Sequence, residues 1–354
     1  MNQVSTMATS ATSPHRIDWV DHAKGICIVL VVLMHSTLGV ERAMGTESWL
    51  GPFVEWARPF RMPDFFLLSG LFLASRIGRP WRTYLDTKVV HFAYFYVLWM
   101  TIQFAVKYPQ IAADEGGPAG ALGLYALSFI EPFGTLWFIH LLAVFFVAAK
   151  LLNGINPFIV WLAAAGLEAL DVSTGWMVID EFAARFVYFY SGYLFAPAIF
   201  ALAGRFAAVP VPGLLAGLAV WAAANAVLVA EGLSRLAGVS LAMGLVGAMA
   251  VVATGGLMAR APVFSFVRHC GENSIVIYLA FFLFMAASRA VLLKAGPAAD
   301  AGTLALVVTA AAIAGPLLLH LLVRDTPARL LFARPARLRL AAVPGRASRP
   351  IAAE

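Results

Sequence analysis

The stretch Ala23–Val40, AKGICIVLVVLMHSTLGV, decides how the rest of the chain is read. As a helix it nearly crosses a hydrocarbon core of about 30 Å, yet it carries Lys24 and His35 eleven residues apart. Eleven residues turn a helix through about 1100°, about 20° past three full turns, so both side chains emerge on one face about 16 Å apart. Ionisable groups are costly in lipid, and two on a single stripe mark a functional path.

Composition extends this reading outward. Of 354 residues, 61% are hydrophobic and 12% charged, and apolar runs of about 20 residues, each long enough to span a bilayer, recur along the chain. The expected fold is all-α, a polytopic membrane bundle of about ten transmembrane helices. Their centres fall near Leu33, Leu67, Tyr96, Leu142, Leu162, Tyr190, Val220, Leu245, Phe282 and Ala312. The chain shows no alternating β pattern and no polar stretch of domain size.

Charge orients the bundle. With a cytoplasmic N-terminus, the inner loops collect Arg76, Arg79, Arg82, Lys88, Lys150, Arg205, Arg260 and Arg268, and the tail adds a run of arginines from Arg324. The outer loops collect Glu41, Glu47, Asp114, Glu115, Glu131, Glu168, Asp171, Asp180, Glu231 and Asp300. This positive-inside asymmetry fits an even number of spans with both termini cytoplasmic. The net charge of +6 then calls for no nucleic-acid partner, since a basic tail solvated near anionic headgroups accounts for it. Residues 1–15 read as a disordered cytoplasmic leader, 16–325 as the transmembrane domain and 326–354 as a basic cytoplasmic tail. Cys27 and Cys270 have neither CxxC nor metal spacing, and no metal site is expected.

The second span, EWARPFRMPDFFLLSGLFLASR (residues 55–76), carries the next cluster. Arg58, Arg61 and Asp64 follow at three-residue steps, so neighbours share a face and Arg61 is placed to pair with Asp64. Pro59 and Pro63 remove donors and bend the helix among them. At 1.5 Å per residue both arginines lie about 10 to 14 Å below the outer end, and His35 about 20 Å above the inner one, so the two clusters share a depth. Ser69, eleven residues past Arg58, returns to the same face, and Gly70 allows close helix approach.

Lys24 and His35 resemble the basic-x10-His signature of the acyltransferase-3 family of integral membrane acyltransferases, with RIDWVDHAKGI as its lead-in and Asp21 three residues before the basic position. FRMPDFFLLSGLF is similar to the family's FxMPxFFxxSG segment, and Arg58 with Arg61 to an RxxR pair found in some members. GTLWFIHLL, with Trp137 and Phe138, resembles its LWFL segment, and GENSIVIYLAF its GxxSxxIYL segment through Gly271, Ser274 and Tyr278. The resemblance covers about residues 16 to 325. One departure is that Ala280 and Phe281 stand where many members follow IYL with a histidine, so no role of that histidine carries over.

The resemblance implies transfer of an acyl group, commonly acetyl from acetyl-CoA, to a sugar hydroxyl, in a bacterial inner membrane. A polyanionic acyl-CoA would be gripped at the inner mouth by Lys24 with Arg76, Arg79, Arg82 and Lys88. Its thioester would then rise to His35, the general base for the hydroxyl of a glycan or lipid-linked sugar arriving from outside. Arg58 or Arg61 would stabilise the oxyanion or hold the acceptor, with Asp64 orienting the guanidinium. Whether His35 acts as base alone or carries the acyl group is open. Asp21, Ser69, Trp137, His140 and Tyr278 complete the expected substrate-binding set, and Arg185 and Glu131 are second-tier candidates in the outer half.

Each of these residues has a duller reading. Lys24 fits an interfacial anchor, His35 a histidine hydrogen-bonded between helices, and Arg58, Arg61 and Asp64 a structural ion-pair network. A transporter or flippase for a glycan or lipid-linked precursor is the rival class, and it predicts broken helices in both halves of the chain.

Overall fold

The computed structural model describes residues 16–296 and 299–340. In chain order the helices are α1 (Asp18–Met44), α2 (Gly51–Gly70), α3 (Ala74–Ile77), α4 (Trp81–Leu85), α5 (His91–Asp114), α6 (Pro118–Leu127), α7 (Trp137–Leu151) and α8 (Pro157–Ala169). They continue with α9 (Met177–Leu194), α10 (Ala196–Ala208), α11 (Val211–Ala230), α12 (Val239–Met258), α13 (Ser265–Glu272), α14 (Ser274–Lys294) and α15 (Ala301–Val323). No strand occurs among the described residues.

Each of the ten expected centres lies in a separate helix. Among the described residues, seven stretches are able to cross a membrane by length and composition: α1, α4 with α5, the stretch around α7, α11, α12, α14 and α15. The pair α9 and α10, bent by 74°, makes an eighth if taken as one span. The shortfall from ten has physical causes. The 13 residues of α8 rise only about 20 Å at 1.5 Å each, and α2 is interrupted by Glu55, Arg58, Arg61 and Asp64. The chain is a multi-pass membrane protein built as a helical bundle.

Helix α1 organises the packing. Asp18 and Asp21 in its first turn complement the helix dipole, and Gly45, at φ 68°, ends it with its N–H donating to the Glu41 carbonyl. Between those ends α1 packs against α2, α12, α13, α14 and α15. Contact with α13 is backbone to backbone: a Cβ on Gly25 would overlap the Val267 carbonyl, and one on Gly271 the Asp21 carbonyl. Such small-residue contacts are how helices associate where lipid removes the hydrophobic drive.

Helix α2 is enclosed by α1, α9, α11 and α12, which is how a charged helix is accommodated. Against α9 the fit is reciprocal, with Gly70 on the Phe189 carbonyl and Gly192 on the Leu67 carbonyl. Outside that core, Glu168 is no free loop residue as its outer-loop placement suggests. It accepts from the Tyr188 hydroxyl at 3.2 Å and the Ser240 hydroxyl at 2.7 Å, tying α8, α9 and α12 together.

The tail departs from the solvated segment expected of it. After α15, residues 327–340 fold back over α4 and α5. Tyr94 and Trp99 donate to the carbonyls of Leu330 and Leu331 at 2.8 and 2.9 Å, and the buried Phe332 ring lies between Trp99 and His320. Arg334 pairs with Asp86 at 3.0 Å, both side chains covered, and Asp86 also accepts from Leu340 N–H at 2.7 Å. Apolar anchors and a desolvated ion pair outweigh the basic composition here. The leader, residues 1–15, and the last residues, 341–354, lie outside the described residues.

Two outcomes follow for the purified protein in detergent. Gly271→Ala lowers the thermal midpoint, because the added methyl meets backbone, at an overpacking cost of about 1 to 3 kcal/mol, whereas Gly256→Ala on open space does not. Arg334→Met, which strands the Asp86 carboxylate, costs about 3 to 5 kcal/mol, while Arg337→Met in the exposed part of the same segment leaves the midpoint within error.

Candidate functional site

Because α1 runs unbroken from Asp18 to Met44, the eleven-residue step from Lys24 to His35 keeps both groups on one helical face. His35 is partly buried, and its ring packs on Phe281 of α14 with centroids 5.4 Å apart and planes at 35°. Phe281, one of the two residues that follow the IYL segment, thus sets an aromatic wall beside His35. The charge of Arg61, on the facing α2, acts on the His35 ring.

Arg61 is 8% exposed and Asp64 1%, but they form no ion pair among the described residues. The Arg61 side chain runs back along its own helix, as helical side chains lean toward the N-terminus, and Nη1 donates to the Val54 carbonyl at 3.1 Å. Asp64 instead faces α1, where Oδ2 accepts from the Cys27 thiol at 3.7 Å. The expected Arg61–Asp64 pairing is thus replaced by one contact within α2 and one across to α1. Arg58 does not join them. It reaches Glu55 at 3.4 Å and the Ser234 hydroxyl at 3.5 Å, at the turn between α11 and α12. Arg185 of α9, paired with Glu181 at 3.1 Å, brings a further positive charge to bear on Arg61.

Buried polar atoms without a hydrogen bond within the protein occur on both helices: Arg61 Nε and Asp64 Oδ1 on α2, and Ser36 Oγ and Thr37 Oγ1, the two residues after His35, on α1. Buried polar groups are nearly always paired, so a run of orphans marks a place that functions with something else bound or moved. Cys27 and Ser36 were missed as site residues. The three-residue step from Lys24 to Cys27 was the available signal, since it puts the thiol on the Lys24 face.

The other expected residues divide. Ser69 turns its hydroxyl to the Phe65 carbonyl at 2.8 Å, closing on its own helix. Trp137 lies with its ring centroid 6.0 Å from Phe66, and Phe138 stacks on Phe65 at 4.6 Å. The Tyr278 hydroxyl donates to the Thr135 carbonyl at 2.5 Å and accepts from Phe138 N–H at 3.2 Å, so it caps the free end of α7. The short motifs on α2, α7 and α14 therefore meet in one aromatic cluster beside α1. His140 points away from it, edge-on to Tyr96 at 4.8 Å, on a groove of about 520 Å³ between α5 and α7 that neither His35 nor Arg61 lines.

At the N-terminal end of α1, Asp21 is buried with Oδ2 unpartnered, and the charges acting on it are Lys24, Arg16, Glu272 and Asp18. Glu272 also lies 3.6 Å from Arg268 and 3.9 Å from His269, so α1 and α13 build this charged mouth between them. Of the other cations expected to grip the donor, Arg82 donates to the Leu340 carbonyl of the docked tail at 2.6 Å, and Lys88 lies over the Phe146 ring. Arg76 is partly buried, and Arg79 lends its carbonyl to Lys150 at 2.8 Å. Among the described residues no group of three or more His, Cys, Asp or Glu is placed to hold a metal ion.

The chain matches the acyltransferase domain family over residues 17–321. It is similar to the inner membrane protein YcfT of Escherichia coli, 24% identical over 205 residues covering 51% of this chain and 57% of that protein. It is also similar to the nodulation protein NolL of Mesorhizobium japonicum, 28% identical over 182 residues covering 51% and 48% of the two chains. The NolL protein of Sinorhizobium fredii is 26% identical over 192 residues, 54% of this chain and 51% of that one. The chain spans about half the length of the curated relatives it matches. No solved structure matches it.

The cap on α7 has a measurable consequence. Tyr278→Phe leaves the Phe138 N–H without its acceptor in a buried setting and lowers stability by about 1 to 3 kcal/mol, read as a fall in the thermal midpoint of the detergent-purified protein.

Proposed function

The chain belongs to the acyltransferase-3 family, and from that premise we propose that it is an integral membrane O-acyltransferase. It moves an acyl group, expected to be acetyl, from cytosolic acyl-CoA to a hydroxyl of a glycan or sugar-containing acceptor at the outer side of the bacterial inner membrane. Both termini lie in the cytoplasm on this reading. The observation that carries it is the packing of α1, which bears His35, against α2, on which the buried Arg61 Nε and Asp64 Oδ1 lack partners, with the charge of Arg61 acting on the imidazole.

In the reaction, neutral imidazole of His35 accepts the proton of the acceptor hydroxyl as that oxygen attacks the thioester carbonyl carbon. Arg61 faces the oxygen on which negative charge develops. Collapse breaks the carbon–sulfur bond, the new ester forms, and the proton passes from His35 to the departing thiolate of CoA. Asp64, through its thiol contact with α1, and Arg185, through its charge on Arg61, act as positioning residues. Lys24 with Arg76 and Arg79 at the inner mouth offers cations to the phosphates of the donor. The Phe281 wall keeps the neighbourhood of His35 apolar, which favours a thioester over water.

A transporter reading leans on the break between α9 and α10. No second bent pair stands in the other half among the described residues, which favours the enzyme.

Purified protein with labelled acetyl-CoA and a cell-envelope glycan fraction tests the proposal. Thioester loss depends on acceptor, falls by about 10²-fold or more in His35→Ala, and falls by about 10²- to 10³-fold in Arg61→Met. Undiminished turnover in His35→Ala, or acceptor uptake into vesicles with CoA idle, would overturn it.

A further inference from the structure

A second polar centre lies on α5, apart from His35 and Arg61. Gln103 is 0% exposed, and neither end of its amide has a hydrogen-bond partner within the protein. One turn further, the partly buried Lys107 holds its ammonium over the rings of Phe282 and Phe133, at 4.2 and 5.0 Å from their centroids. The two groups converge on one spot. A Cβ built at Gly134 would lie 3.5 Å from Lys107 Nζ and 3.7 Å from Gln103 Oε1, and Gly134 sits at φ 59°, a conformation that favours glycine. The next residue adds a third orphan, the buried Thr135 hydroxyl.

The charge here is unbalanced. No carboxylate lies within ion-pair distance of Lys107 among the described residues. Glu131, the acid nearest in sequence to Gly134, accepts from Met177 N–H through Oε1 and exerts its charge on Tyr96 and His140 instead. Aromatic faces attract an ammonium through their quadrupole but do not supply a counter-charge. An ammonium, an amide and a hydroxyl that are all unspent, between two aromatic walls, form a socket for an anionic group carried on a polar ring. The socket shares a helix with the proposed chemistry. Phe282, which takes the Lys107 cation, follows Phe281, which takes the His35 ring, so both centres hang on consecutive residues of α14.

We propose that Lys107, Gln103 and Thr135 form the anchor for a negatively charged substituent, a carboxylate or a phosphate, on the sugar acceptor. The anchor rests on the acyl-transfer reading only in calling this ligand the acceptor. An acceptor gripped there enters from the side on which α5 approaches Asp114, and its hydroxyl is offered toward His35 past Phe281. Neutral sugars meet the same rings without satisfying the ammonium, so the site selects acidic ones.

Binding to the full chain in detergent tests this, with methyl β-D-glucuronide, D-glucose 1-phosphate and neutral methyl β-D-glucopyranoside as probes, followed by calorimetry. At least one anionic probe is expected to bind about tenfold or more tighter than the neutral one, in keeping with a charge-assisted hydrogen bond. Which anion responds separates a uronate from a sugar phosphate. Lys107→Met brings the anion down to the neutral level, Lys107→Arg keeps the preference, and His35→Ala keeps it too. Lys107→Gln gives the same comparison should the methionine variant fail to fold. Equal affinity for all three probes, no binding of any, or a preference that survives loss of the lysine charge overturns the anchor. Loss of acetyl-CoA thioester, measured separately and dependent on His35, scores the acyl-transfer reading, so either can fail while the other stands.

Discussion

The close approach of α1 to its neighbours is the constraint from which the rest follows. At Gly25 and Gly271 the backbones of α1 and α13 touch, and five helices pack around α1 as a result. In lipid there is little to gain from burying one apolar side chain against another rather than against acyl chains. Backbone proximity and internal hydrogen bonds hold such a bundle together instead. With α1 enclosed, an imidazole in its upper half faces protein, and α2 in turn is screened well enough to carry Arg61 and Asp64 at near-complete burial.

That screening sets the electrostatics of the centre. Arg61 and Asp64 act on each other without making contact, since Asp64 hydrogen-bonds a thiol of α1 and Arg61 a main-chain carbonyl of α2, and the charge of Arg61 also bears on His35. A tight ion pair would have neutralised both groups. The aromatic cluster from α2, α7 and α14 gives these polar atoms rigid walls, and Tyr278 fixes those walls to one another through the start of α7. The second centre on α5 shares one of the same helices, which makes α14 the element common to both.

The α1–α13 contact and the docked tail show the opposite balance. There charges are spent: Glu272 lies against Arg16, Arg268 and His269, and Asp86 is locked to Arg334 of the returning tail. The tail arginines, read as solvated, include one whose side chain is covered, because Phe332 and the Trp99 and Tyr94 hydrogen bonds draw the segment onto α5 first. Once the backbone is docked, an ion pair with Asp86 is the way to bury both charges.

Hydropathy, charge asymmetry and a helical repeat of 3.6 residues are local properties, and they sufficed for the all-helical membrane bundle, the ten helix centres, and the placing of Lys24 and His35 on one face of α1. The order of short motifs sufficed for the family. Which helices lie together is not local, and only the tertiary structure decided it. It turned Phe281 onto His35, brought Arg61 to bear on the ring while Arg58 went to Glu55 and Ser234, parted Arg61 from Asp64, and placed Lys107 beside Gln103 and Gly134 from distant parts of the chain. A three-residue step makes two side chains neighbours on a helix, but the partner each takes depends on which other helix offers a stronger contact. That is a property of packing, and the spacing of residues along one helix does not contain it.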